Sequence, residues 1–376
     1  MGPSLRLIKI FGIPVEINFS WIFIFLLVTY LLGSQFGHTH PGWPVAQQWG
    51  LAVTTSALFF LSVLAHELSH SLVAVRRGIP VLSITLFFFG GVSQLSHEAR
   101  RPYTEFVVTV VGPLSSILLA LVFGGLWYLL RPYSESLEVV FRLLMTINLM
   151  LGVFNMLPGF PLDGGRMLRA AIWGITGNFW RATQVAARIG QAFGVLMVLG
   201  GVSLAVLDFA LFGVSGIWMA LIGGFLFSAA TASYRQGRVR EGLKSFRVSD
   251  VLTDDWWTLP GDMPLGSPLV GQRLARQNDV VMVSLNGRVE GLLTRRLFDS
   301  VPRSQWPFTP LSRVMMPLGS MPWLAPEDTM SDALERVESS RTDRLAVRNA
   351  AAGELLGVVS REDILRFARR VLHIKL

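Results

Sequence analysis

The chain has 376 residues, with 33 Lys and Arg against 25 Asp and Glu, a hydrophobic fraction of 51% and only 15% charged residues. Soluble domains carry about 25% charged residues, so this composition argues against a single water-soluble globule. The absence of cysteine excludes disulfides, thiol nucleophiles and thiolate ligands, which leaves His, Asp and Glu to hold any metal.

The charge is unevenly spread. Residues 1–233 hold 12 basic and 8 acidic side chains and the remainder hold 21 and 17. The first part reads as membrane and the second as soluble. Each carries net +4, so the basic surplus is no concentrated nucleic-acid patch, and no nucleic-acid partner is expected. A hydrocarbon layer about 30 Å thick needs about 20 mostly apolar residues per helix. Six runs qualify, approximately Ile17 to Gly33, Trp49 to Val75, Thr104 to Leu130, Leu137 to Leu157, Ala187 to Leu207 and Leu211 to Ser233. An even number puts both termini on one side. Fifteen Lys and Arg flank the spans on the N-terminal side, against Arg131 alone in the opposite loops. Positive charge is retained in the cytoplasm, so both termini are expected there, in a multi-pass protein of the plasma membrane. Arg6 and Lys9 ahead of an apolar stretch also suit a signal peptide, but no small-residue cleavage site follows.

The second span ends in His66-Glu67-Leu68-Ser69-His70. Positions four apart on a helix lie about 40° apart in projection and about 6 Å along the axis, so both imidazoles share one face and can hold one ion. In such a motif the histidines bind zinc and the glutamate takes a proton from the attacking water. The plainer reading is three polar residues bonding their neighbours at a span end, but ionisable groups in an apolar span are costly and usually functional. His38, His40, His97 and His373 lie in loops or at the C-terminus and read as solvated surface residues.

Catalytic zinc usually takes three protein ligands. Asp163 is the only carboxylate between Glu138 and Asp208 and follows Asn155-Met156-Leu157-Pro158-Gly159-Phe160-Pro161-Leu162. Prolines and glycines there break the helix, and such backbone is tolerated at membrane depth where it lines a cavity or packs in protein. By itself, Asp163 is read more simply as the cap of a helix resuming at Gly164, with Arg166 as its surface partner.

Between these motifs, Ile79 to Leu95 is too short for a spanning helix and is rich in β-branched and aromatic residues. It reads as a β-hairpin dipping back into the membrane, with Gly90 and Gly91 supplying its turn and contributing to substrate binding. An exposed edge there would offer hydrogen bonds to the unwinding backbone of a substrate. An amphipathic loop on the bilayer surface is the alternative.

The two motifs together, with Phe11-Gly12-Ile13-Pro14-Val15 ahead of the first span and Gly112-Pro113 in the third, resemble the site-2 protease family of intramembrane zinc metalloproteases. The resemblance implies zinc (Zn2+) bound by His66, His70 and Asp163, Glu67 as general base, and Asn155 holding the substrate or the developing oxyanion. Ser116 departs from the asparagine that many members carry shortly after the Gly-Pro pair. By the same resemblance, substrates are transmembrane proteins: an anti-sigma or pro-sigma factor, a membrane-tethered regulator or a remnant signal peptide. A non-catalytic metal-binding transport or sensor protein is the rival reading, and it leaves Glu67 without a role.

After a basic linker (234–247), two stretches align. Val289-Glu290-Gly291-Leu292-Leu293-Thr294 and Leu355-Leu356-Gly357-Val358-Val359-Ser360 are offset by 66 residues. This resembles a tandem pair of cystathionine-β-synthase (CBS) domains, here 248–310 and 311–376, behind a membrane protease domain over 1–233. Such pairs often bind an adenine nucleotide, with a Ser/Thr-x-x-Asp step at the ribose. Ser360 and Asp363 keep that step, whereas the first copy has Leu297 in place of the acid. The fold class expected is thus a six-span α-helical membrane protein with a cytoplasmic α/β CBS pair. The alternative is a pair that binds no ligand and serves to dimerise or dock; a homodimer through it is an expectation.

Overall fold

A computed structural model describes residues 4–88, 90–207, 215–252, 257–276, 280–340, 344–349 and 355–372. Phe89, Leu211 at the start of the sixth predicted span, and His373 lie outside them. Two compact units are present, Met1–Gly237 and Arg238–Leu376.

In the first unit, strands β1 (Ser4–Ile10) and β2 (Ile13–Asn18) precede helices α1 (Phe19–Thr39) and α2 (Val45–Arg76). Strands β3 (Val81–Phe87) and β4 (Gly90–Leu95) follow, then α3 (Pro102–Leu130), α4 (Glu135–Asn155), α5 (Asp163–Thr176), α6 (Phe179–Val206) and α7 (Gly216–Leu243), whose residues from Arg238 onward count with the second unit. Six of these helices, all but α5, are long and apolar enough to cross a membrane. Helix starts follow local chemistry: Asn18 accepts from Ser20 N ahead of α1, and Ser134 accepts from Leu137 N ahead of α4.

Strands β3 and β4 pair antiparallel as a hairpin. Its glycines do not make the turn. Gly90 and Gly91 are the first residues of β4 and face Phe87 and Leu86 across the ladder. Nor is the hairpin alone, because β2 adds to β3 in parallel and β1 to β2, giving a four-stranded sheet in the order β1-β2-β3-β4. The β1–β2 turn places Phe11 and Gly12 at φ of 50° and 82°, a pair that suits the primed turns of tight hairpins. The open edges of the sheet are therefore β1 and β4.

The second unit contains the repeat. In the first copy, β5 (Thr258–Pro260), α8 (Pro268–Arg276), β6 (Val280–Leu285), β7 (Arg288–Thr294) and α9 (Arg295–Asp299) are joined by α10 (Leu311–Val314) and β8 (Met316–Pro317) from the start of the second, in a sheet of order β5-β6-β7-β8. The second copy has β9 (Trp323–Leu324), α11 (Met330–Ser339), β10 (Arg344–Arg348), β11 (Leu355–Ser360) and α12 (Arg361–Leu372), with sheet order β11-β10-β9. In both, an antiparallel pair (β6–β7, β10–β11) gains a parallel third strand. The copies exchange their leading segments. Val239, Leu243 and Val248 are buried in the core of the second copy with Leu324, Met330 and Ile364, whereas Leu311 is buried in the core of the first with Val281 and Leu293.

Candidate zinc and catalytic site

His66 and His70 project from one face of α2 and are 4% and 5% exposed. Asp163, the first residue of α5, turns its carboxylate toward them. Its Oδ2 lies 3.1 Å from each Nε2, and the two Nε2 atoms are 3.2 Å apart. Asp163 therefore does not serve as a simple helix cap; Leu162 holds that position. Among the described residues, this is the group of three or more His, Asp or Glu side chains placed to hold a metal.

The partners of the other ring nitrogens decide what the cluster can do. His70 Nδ1 lies 2.7 Å from the Val108 carbonyl, which can only accept, so Nδ1 carries the proton and Nε2 turns a lone pair inward. His66 Nδ1 lies 2.9 Å from the hydroxyl of Ser116, which is fully buried. Three acceptors thus converge in a buried place that a cation would satisfy. Tetrahedral zinc with bonds near 2.0–2.2 Å keeps its ligand atoms about 3.3 Å apart, so the spacing fits.

Glycine makes the approach possible. A Cβ at Gly112 on α3 would overlap both imidazoles. In the first turn of α5, a Cβ at Gly164 would strike the carbonyls of Met156 and Leu157 in the preceding turn, and one at Gly165 the backbone of Gly159 and Phe160. Phe160 N in turn donates to Ala186 O on α6 at 3.1 Å. The turn is thereby pressed flat enough for Asp163 to reach α2.

Glu67 is half-buried beside the cluster. Its Oε2 accepts from Ser93 Oγ on β4 at 2.8 Å, and that hydroxyl accepts from Ser71 Oγ at 3.0 Å. A Cβ at Gly91 would overlap Glu67 Cγ. Asn155 is not brought into the cluster; its Nδ2 donates to Leu151 O within α4 at 3.0 Å. His40 stacks on Trp43 at 4.2 Å between centroids, and His97 Nδ1 meets Glu98 O; neither joins the site, nor does His38.

Sequence reasoning misses Ser93, Val108 and the part played by Ser116. Only the last carries a signal, its position shortly after Gly112-Pro113. In the second unit, Ser360 and Asp363 meet: Asp363 Oδ2 accepts from Ser360 N at 3.1 Å and from Ser360 Oγ at 2.6 Å, while Asp363 N donates to Ser360 Oγ at 3.1 Å. They form a reciprocal cap on α12. Thr294 caps α9 more simply, accepting from Leu297 N.

The chain matches the profile of peptidase family M50 over residues 54–134 and 130–197, and that of the CBS domain over 311–370. It is 32% identical over 375 residues to a candidate zinc metalloprotease of Synechocystis, covering 97% of this chain and 96% of the relative. It is 32% identical over 372 residues to the candidate zinc metalloprotease Rip3 of Mycobacterium tuberculosis, covering 97% and 93%. Among solved structures, the site-2 protease from Methanocaldococcus jannaschii is similar at 28% identity and a TM-score of 0.43, over 62% of this chain and 96% of that one. Full-length relatedness at this level settles the family: the chain belongs to the M50 peptidases, the site-2 proteases, and is a multi-pass membrane zinc metalloendopeptidase of intramembrane proteolysis with a C-terminal CBS module.

Proposed function

We propose that this protease hydrolyses a peptide bond within or near the transmembrane segment of a membrane-tethered regulator, an anti-sigma or pro-sigma factor, or a remnant signal peptide. His66, His70 and Asp163 hold the zinc and Glu67 is the general base. The observation that carries this reading is the convergence of two buried imidazoles and the half-buried Asp163 carboxylate, 3.1–3.2 Å apart, with the half-exposed Glu67 carboxylate beside them.

Zinc, when bound, supplies Lewis acidity that polarises the scissile carbonyl and acidifies water. The rest is the chain's own work. Ser93 occupies Glu67 Oε2, leaving Oε1 to take the proton of the attacking water and return it to the leaving amine. Gly91 and Ser93 both lie on β4, whose outer side is open. A substrate strand added to that edge passes directly by Glu67, and its amides exchange helical partners for those of β4. This is the use assigned to the hairpin, set at membrane depth. Asn155, at the C-terminal end of α4, would exchange its bond to Leu151 O for the developing oxyanion.

The basic flanks of the spans support a cytoplasmic position for both termini. There the CBS pair, over 248–310 and 311–376 behind the 234–247 linker, gates access, with an adenine nucleotide at Ser360 and Asp363 and a second chain bound through the repeats.

Cleavage of a single-span reporter in reconstituted membranes, by wild type and Glu67→Gln with zinc counted in both, tests the assignment. Cleavage by wild type alone at equal zinc is expected. Equal cleavage by both would sink Glu67 as the base.

A further inference from the structure

Glu105 on α3 and Arg169 on α5 form a buried ion pair, 1% and 8% exposed. Arg169 Nε donates to Glu105 Oε1 at 2.8 Å and Nη2 closes on the same oxygen. Nη1 lies 3.8 Å from Glu98 Oε1 in the connection between β4 and α3. The guanidinium also faces the rings of Phe160 and Phe179, 5.1 and 4.6 Å from their centroids.

A buried pair is a costly way to join two helices, since desolvation offsets most of the attraction and apolar side chains of similar size hold as well. What the planar guanidinium adds is a fixed register. The helices it joins are the two that assemble the site. Arg169 lies six residues, about 9 Å of helix axis, beyond Asp163. On α3, Glu105, Val108, Gly112 and Ser116 follow at spacings of three and four and share one face. The Val108 carbonyl meets His70, Gly112 lies against both imidazoles and Ser116 meets His66. One face of α3 thus touches the histidine half through three positions and the aspartate half through the fourth.

We infer that the Glu105–Arg169 pair is a positioning latch: it sets the reach of Asp163 toward His66 and His70, and with it the affinity for the metal, without touching metal or substrate. The inference rests on the ligand assignment proposed above. Groups bonded directly to metal ligands commonly change affinity by about 10–100-fold; the pair acts on Asp163 through α5, and the low end of that range is expected of it.

The test uses the full chain in lipid nanodiscs. Zinc affinity is measured by chelator competition, together with the melting temperature and the visible absorption of the cobalt-substituted protein. The variants are Asp163→Asn, Glu105→Gln, Arg169→Met and the double Glu105→Gln/Arg169→Met. Each single variant of the pair is expected to weaken zinc binding about tenfold or more and to reduce the cobalt bands. The double variant, which leaves no buried charge unpaired, is expected to melt near wild type yet keep the weakened affinity, and it carries the measurement if the singles do not fold. Wild-type affinity and cobalt spectrum in the pair variants, with only the melting temperature lowered, would reduce the pair to a structural contact. Regained affinity in the double variant would do the same. If Asp163→Asn itself binds zinc like wild type, the ligand assignment falls and the latch with it; if it binds weakly while the pair variants do not, only the latch falls.

Discussion

Ser93 Oγ reaches Glu67 Oε2 at 2.8 Å, so a single hydroxyl on the β4 strand orients a carboxylate on α2 beside His66 and His70. In the proposed mechanism, the base and the strand edge offered to substrate are therefore one mechanical piece. Ser93→Ala is expected to lower turnover of a single-span reporter by about tenfold while leaving bound zinc unchanged, because general-base catalysis contributes about 10²–10⁴ and Glu67 would lose its orientation but not its chemistry. Wild-type turnover in the variant would remove Ser93 from that role.

Two glycines should fail in different ways. A methyl group at Gly112 meets both imidazoles, whereas one at Gly91 meets Glu67. Gly112→Ala is expected to abolish both zinc binding and cleavage. Gly91→Ala is expected to lose most cleavage and keep the zinc. Metal analysis of the two purified proteins beside a cleavage assay decides it, and equal zinc in both would contradict the packing described.

Ser116→Ala removes the partner of His66 Nδ1. Zinc should then be stripped by a chelator at about tenfold lower concentration than from wild type, with a single-span reporter still cleaved when zinc is in excess. An unchanged stripping curve would mean that the hydroxyl is incidental.

Asp363 has two duties to separate. The bonds its carboxylate accepts from Ser360 N and Oγ predict that Asp363→Ala costs about 1 kcal/mol of stability in the absence of any ligand. The proposed ribose contact predicts, in addition, that the rise in melting temperature given by AMP or ATP to wild type disappears in the variant. The same nucleotide-induced rise in both proteins would leave Asp363 as a cap alone.

What can be read from the sequence is local or categorical. Six apolar runs, two histidines four apart and a lone aspartate after a broken helix each announce themselves within a short window. What surrounds them comes from elsewhere in the chain. Ser116 lies 50 residues from His66, and Glu105 lies 64 residues from Arg169. No periodicity links such pairs; only the crossing of α2, α3 and α5 does. The N-terminal strands escape a sequence reading because Ser4–Ile10, basic and apolar by turns, resembles the flank of a first span, and because β2 finds β3 across two intervening helices. Gly90 and Gly91 suggest a turn because paired glycines so often make one, while the need for space beside Glu67 emerges only once α2 lies against β4.

The exchange of leading segments between the CBS repeats bears on how this protein can be dissected. In sequence the second repeat looks like a detachable tail. In the fold it shelters Val239 and Leu243, which precede the first repeat, and Val248, which begins it. A chain ended before Leu311 would bare those three side chains and take Leu311 itself from the first repeat. Loss of regulation in such a truncation would therefore report a collapsed module rather than a missing ligand site, and the role of the second repeat is better approached by point substitution than by deletion.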